Sequence, residues 1–128
     1  MPRLAAHLGG PPIFVKRDDL SGLAAGGNKA RKLQALLPDA VAKGATVVLT
    51  QGGPQSNHCS QTALAAAMFG LRCELFIWGD EPSERTGNLR VEDLVDAMFH
   101  YVGATTADVD GLVGARAREL QARGERPY

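Results

Sequence analysis

The chain has 128 residues and a mass of 13.5 kDa, enough for one ordinary domain rather than two. Its composition, 45% hydrophobic and 22% charged, excludes an intrinsically disordered chain. Fourteen basic and fourteen acidic side chains cancel, which excludes nucleic-acid binding by bulk charge, and no apolar run approaches the ~20 residues of a membrane span.

The start, Met1 to His7, lacks the apolar stretch of a signal peptide. Ile13-Phe14-Val15 follows the breakers Gly9-Gly10-Pro11-Pro12 and is expected to form a short strand. Leu33, Leu36, Leu37 and Ala40 fall at i, i+3, i+4, i+7, the apolar face of a helix. Pro38 is expected to end that helix near Leu37 and to open a second one over residues 39–43, closed by Gly44. Thr46 to Thr50 is a continuous, β-branched apolar run, as in a strand buried on both faces. A turn over residues 51–55, a small-residue helix from Ser56 to Phe69, and a strand from Cys73 to Trp78 follow. Val91, Leu94, Val95 and Met98 repeat the helical spacing; Phe99 to Val102 reads as a strand and Gly103 as a breaker. Val113, Ala117 and Leu120 mark a last helix ending at Gly124, and another strand is expected at Arg126-Pro127-Tyr128. Alternating strands and helices imply an α/β fold with a mostly parallel sheet covered by helices.

Two segments carry chemistry. In Gly26-Gly27-Asn28-Lys29, two glycines permit close backbone approach, Asn28 is a good helix N-cap, and Lys29 falls in the first helical turn. The helix macrodipole disfavours a cation there, so an amine held at that end is poised to act as a nucleophile. Alone, the segment reads first as the basic start of a solvated helix, with Lys29 beside Arg31 and Lys32. The second segment, Gln51-Gly52-Gly53-Pro54-Gln55-Ser56-Asn57-His58, joins a buried strand to a helix. In parallel sheets, ligands bind at the carboxyl ends of strands, and free N–H groups at a helix start favour an anion. Ser56 can serve simply as the N-cap of that helix.

These segments, with Lys16-Arg17-Asp18-Asp19-Leu20-Ser21-Gly22-Leu23 and Gln61-Thr62-Ala63, resemble the pyridoxal-phosphate enzymes of the 1-aminocyclopropane-1-carboxylate deaminase and D-cysteine desulfhydrase family. The resemblance runs collinearly from His7 to Gly124. It implies a three-layer, parallel-sheet α/β small domain of fold type II, cut short at its C-terminal end. Residues 1–43 would form an N-terminal segment with the cofactor-lysine helix, and residues 44–128 the small domain. It further implies that Lys29 bonds to pyridoxal 5'-phosphate and moves protons at the substrate carbon. Asn57 would hydrogen-bond the cofactor's phenolic oxygen. Ser56, Asn57 and His58 would bind the substrate, with Ser56 also taking part in catalysis.

The implied reaction is a lyase or deaminase step on a small amino acid, D-cysteine desulfhydrase-like, releasing sulfide, pyruvate and ammonia. His58 favours that branch, because the deaminase branch tends to carry Gln after Ser-Asn. Ser60, where a basic residue is common, and the strand ending at Phe76-Ile77-Trp78-Gly79, without the usual acidic residue, depart from the family pattern. The family's glycine-rich phosphate loop, its pyridine-nitrogen partner and its substrate-site tyrosine come from later sequence. The alternatives are a 1-aminocyclopropane-1-carboxylate deaminase, a truncated non-catalytic α/β domain that binds an anion or a partner chain, and a flavodoxin-like nucleotide binder. The full-length enzyme is expected to be a cytoplasmic homodimer with neither nucleic acid nor membrane as partner.

Other residues read as structural. Cys59 and Cys73 are too few for a disulfide framework, and with His7, His58 and His100 they lack metal-ligand spacing, so no metal is expected. Asp18 and Asp19 are expected to pair with nearby basic groups. The run Arg116, Arg118, Glu119, Arg123, Glu125, Arg126 is expected to be a solvated helix face.

Overall fold

Three strands with β-branched or apolar cores, β1 (Val47–Gly52), β2 (Arg72–Ile77) and β3 (Met98–Tyr101), pair in parallel in the order β1-β2-β3. The computed structural model describes residues 1–24, 26–103 and 108–128. Among the described residues, five helices accompany the strands: α1 (Pro2–Leu8), α2 (Lys29–Ala42), α3 (Asn57–Met68), α4 (Gly87–Asp93) and α5 (Val109–Ala122), with a short 3-10 turn at Asp18–Leu20. Among the described residues, no helix is long and apolar enough to cross a membrane.

The alternation of side chains along a strand sorts the sheet into two faces. Cys73, Leu75 and Ile77 point into the main core with Val48, Leu33 and Leu37 of α2, and Cys59, Ala63 and Ala66 of α3. Ala-rich α3 brings its backbone close to the sheet because its side chains are small. The opposite face carries Glu74, which is buried and held by α5: Arg116 reaches its two oxygens at 2.8 and 3.0 Å, and His100 reaches one at 2.8 Å. Helices therefore cover both sides of the sheet, the three-layer α/β arrangement expected. Arg116 departs from expectation. It leaves the solvated stripe of α5 to neutralise the buried Glu74, since a buried carboxylate needs a partner. Burial is the largest single effect and pushes the Glu74 carboxyl up, but the hydrogen bonds and charges of Arg116 and His100 together outweigh it and hold the group below the usual range.

The chain end also joins the sheet. The Thr46 N–H donates to the Arg126 carbonyl, Tyr128 N–H to Val47, and Leu49 N–H to Tyr128, each at 2.9 Å, so residues 126–128 run parallel to β1 on its free side. The Tyr128 hydroxyl donates to Asp39 of α2 at 2.8 Å.

Three local expectations fail for identifiable reasons. Ile13-Phe14-Val15 forms no strand: among the described residues no strand lies beside it, and Phe14 is 90% exposed. Among the described residues its one hydrogen bond comes from the Met1 amino group, which donates to the Ile13 carbonyl at 2.6 Å. Pro38 does not split α2. The helix runs through it because Leu33, Leu37 and Ala40 are buried on one face, while Gln34, whose carbonyl loses its partner, faces water. Gly44, with φ +68°, then closes α2 as expected. Helix α4 ends at Asp93, and Met98 opens β3 instead of completing the helical stripe.

Glu92 of α4 has no such help. It is fully buried near Cys59 and Cys73, and neither carboxylate oxygen has a hydrogen-bond partner among the described residues. Burial raises its carboxyl to about 7. In the unfolded chain the group ionises near 4.5, so stability falls as pH rises from there to about 7 and the cost is constant above. Glu92→Leu should stabilise the chain more at pH 8 than at pH 4, by a difference on the order of 3 kcal/mol. Urea unfolding at the two pH values measures it, and equal gains would show that Glu92 is not the source of the pH dependence.

Candidate active site

The site is assembled where the end of β1 meets the starts of α2 and α3. Gly52 ends β1 against α3: a Cβ there would stand 2.7 Å from Ser56 Oγ and 2.8 Å from Cys59 Sγ. The missing side chain lets the chain turn directly into the helix. Ser56 takes the N-cap position in extended backbone geometry, and its Oγ accepts from the Cys59 N–H at 3.3 Å. The N–H groups of Asn57 and His58 precede the first helical acceptor and point out of the helix end. Asn57 is exposed, and Ser56 and His58 are partly buried.

The two glycines ahead of Lys29 dock on the same helix, α3. Gly26 has φ +81°, and a Cβ there would meet the Asp19 carbonyl oxygen at 1.9 Å; at Gly27 it would meet Gln61 Nε2 at 2.8 Å. The buried Gln61 amide of α3 donates to the Gly26 carbonyl at 2.8 Å, and Gly27 N–H donates to the Asp18 carbonyl at 2.8 Å. Asp18 also pairs with Arg31 at 3.0 Å, and Asp19 with Arg17 at 2.5 Å, as their spacing suggests. Asn28 occupies the N-cap position of α2 but makes no side-chain cap, because its backbone is already helical. Lys29 itself is partly buried in the first turn of α2.

His58 connects the two segments electrostatically. Burial, then the charges of Lys32 and Lys29, hold its imidazole below its ordinary 6.5. Both lysines therefore lie close enough to oppose its protonation. Its Nδ1 is buried with no hydrogen-bond partner among the described residues. Cys59 is inert by comparison, its thiol pushed up to about 11 chiefly by burial.

Sequence reasoning did not single out the polar frame outside Ser56-Asn57-His58. Asn88, at the start of α4, donates through Nδ2 to Asn57 Oδ1 at 2.9 Å and to the Gln55 carbonyl at 3.0 Å. Its N–H donates to Gln55 Oε1 at 2.9 Å. Gly87 (φ +55°) leaves room for that Gln55 oxygen, which a Cβ would meet at 2.3 Å. The available signal was the Gly87-Asn88 pair opening a helix. Trp78, just past the end of β2, is 45% exposed, with its indole N–H 3.4 Å from Gln51 Oε1.

The start of α3 collects a carboxamide, a hydroxyl, an imidazole and free backbone N–H groups, and the Lys29 and Lys32 charges act on that imidazole. Such a set can hold an anionic ligand and exchange protons with it.

A family model described as "Pyridoxal-phosphate dependent enzyme" matches residues 1–128. The chain is 41% identical over 133 residues to a D-cysteine desulfhydrase of Klebsiella pneumoniae (strain 342), covering all of this chain and 40% of that protein. It is 39% identical over 135 residues to a D-cysteine desulfhydrase of Salmonella paratyphi B, again covering 40% of it. A solved structure described as an ACC deaminase homologue superposes with a TM-score of 0.86 at 38% identity, covering 99% of this chain and 38% of that one. The chain thus spans about 40% of the length of the curated relatives it matches.

Two measurements test the site as built. Gly52→Ala should cost about 1–3 kcal/mol, because the new methyl overpacks Ser56 and Cys59; a thermal midpoint equal to that of the parent chain would refute the contact. Because the fold disfavours protonated His58, the His58 contribution to stability should fall as pH drops below 6.5, opposite in sign to that of Glu92. Lys32→Gln should raise the His58 titration midpoint in an NMR pH series, and an unmoved midpoint would remove Lys32 from the account.

Proposed function

The chain belongs to the pyridoxal-phosphate dependent enzymes, and on that premise we propose that it carries the lysine-bearing part of the active site of a lyase acting on a small amino acid, in the manner of D-cysteine desulfhydrase. The observation that supports the reading is the docking of Gly26 and Gly27, just ahead of Lys29, on Gln61 of the helix that presents Ser56, Asn57 and His58.

The residues present fit the cofactor. Lys29 offers an amine that can bond to its aldehyde, and the exposed Asn57 amide, its oxygen already engaged by Asn88, offers N–H donors. When bound, pyridoxal phosphate supplies an electron sink for negative charge at the substrate α-carbon. The chain's own residues do the rest. Lys29 holds the cofactor and moves the proton at the substrate carbon. Asn57 donates to the phenolic oxygen. The N–H groups at the start of α3, with the Ser56 hydroxyl and His58, take the substrate carboxylate, and the positive helix end stabilises it. Ser56 can do this while its Oγ caps the helix, because its O–H proton remains free to donate.

For the whole enzyme the reading is elimination from D-cysteine to sulfide, pyruvate and ammonia. The desulfhydrase relatives and His58 support it; the deaminase homologue among solved structures supports a 1-aminocyclopropane-1-carboxylate deaminase as the second reading. Residues 1–43 serve as the segment that brings the lysine to the domain of residues 44–128. We place the enzyme in the cytoplasm as a homodimer, without nucleic-acid or membrane partners. Two buried, unpaired thiols support a reducing compartment, and the even charge balance supports the absence of nucleic acid.

Treatment with pyridoxal phosphate followed by borohydride should place the pyridoxyl mass on Lys29 in preference to Lys16, Lys32 and Lys43, and Lys29→Ala should remove it. Peptide mass spectrometry reads the site, and labelling that ignores Lys29 would sink the proposal.

A further inference from the structure

The frame around Asn57 has a polarity that can be derived without assuming how any amide is turned. The Gln55 carbonyl can only accept, and the Asn88 side chain sits 3.0 Å from it, so Asn88 must face it with its NH2. The same nitrogen lies 2.9 Å from the Asn57 carboxamide. With one proton given to Gln55, it has one left to give, and the Asn57 atom that receives it must be the oxygen. Asn57 therefore turns its own NH2 away from α4, into the exposed mouth of the site.

Asn88 is itself held. Its N–H donates to Gln55 Oε1 at 2.9 Å, Gln55 Nε2 donates to the Thr86 carbonyl at 3.1 Å, and the absent side chain of Gly87 makes room for the Gln55 amide. Thr86, Gly87 and Asn88 thus clamp Gln55 from one side, and Asn88 transmits that fixed geometry to Asn57.

We propose that Asn88 is a positioning residue that makes Asn57 a hydrogen-bond donor to an anionic oxygen in the site. The proposal rests on the reading that Asn57 contacts the cofactor's phenolic oxygen, but its core, the fixed direction of the Asn57 amide, can be tested without any ligand. Asn88→Asp keeps the shape and reverses the logic: a carboxylate can only accept, so Asn57 must flip its NH2 towards α4 and present its carbonyl to the site.

Side-chain amide exchange, measured by NMR on the full chain, reads this directly. In the parent chain the Asn88 NH2 protons should exchange about fivefold more slowly than those of Asn57, the effect of one net hydrogen bond. In Asn88→Asp the Asn57 NH2 should become the protected pair. Protection of Asn57 in the parent chain, or exchange at Asn57 unaltered by the substitution, overturns the proposal. The parent measurement stands by itself should the variant not fold. Addition of pyridoxal phosphate separates the two claims: it should shift the Asn57 amide resonance in the parent chain and not in the variant. An intact exchange pattern with no such shift upholds Asn88 as the positioning residue and overturns the cofactor contact of Asn57.

Discussion

The hydrogen bond from the buried Gln61 amide to the Gly26 carbonyl is the contact on which the site depends. It belongs to α3, the helix that also carries Ser56, Asn57 and His58. The position of Lys29 and the position of its partners are therefore both referred to one rigid element, which is what preorganisation requires. The glycines follow from this contact. Gln61 presses on Gly27 and the Asp19 carbonyl on Gly26, each closer than any side chain would allow. Asp18 completes the clasp, accepting from the Gly27 N–H and pairing with Arg31.

The two sides of the sheet handle buried polarity in opposite ways. On the α5 side, Glu74 is surrounded by donors from Arg116 and His100, and the cluster pins α5 to β2 and β3. On the α3 side, Ser60, Thr62, Gln61 Oε1 and both oxygens of Glu92 are buried without a partner among the described residues. Each such atom gives up hydration for nothing in return, a cost of about 1–3 kcal/mol. The unsatisfied polarity concentrates behind the helix that carries the candidate site, where local rules of packing are most often broken in functional proteins.

The polar frame gives direction to groups that could otherwise turn freely. Ser56 is set by capping, His58 by burial beside two lysines, and Asn57 by the α4 clamp. Of these, only the cap lies within α3 and its own turn. The other two need α2 and α4, so the arrangement exists only once three helices have packed around the end of β1.

By itself the sequence determined the alternation of strands and helices, the parallel sheet, and the two motifs that hold the candidate residues. These signals are local: β-branched runs, glycines at fixed offsets, a serine before a helix. Ser56 caps because capping needs only the three residues that follow it. Tertiary structure decided everything that required a distant partner. Ile13 to Val15 has strand composition but no strand beside it, and a strand is stable only through its neighbour. Pro38 is a helix breaker that stayed inside a helix, because the buried face of α2 outweighs one missing hydrogen bond. Arg116 reads as surface charge until Glu74, 42 positions away, is placed beneath it. The Gly87-Asn88 pair marks a helix start but gives Asn88 no partner. Its role arises because packing of α4 against α3 brings it within 2.9 Å of Asn57, 31 positions earlier, and no local pattern records a contact made across the fold.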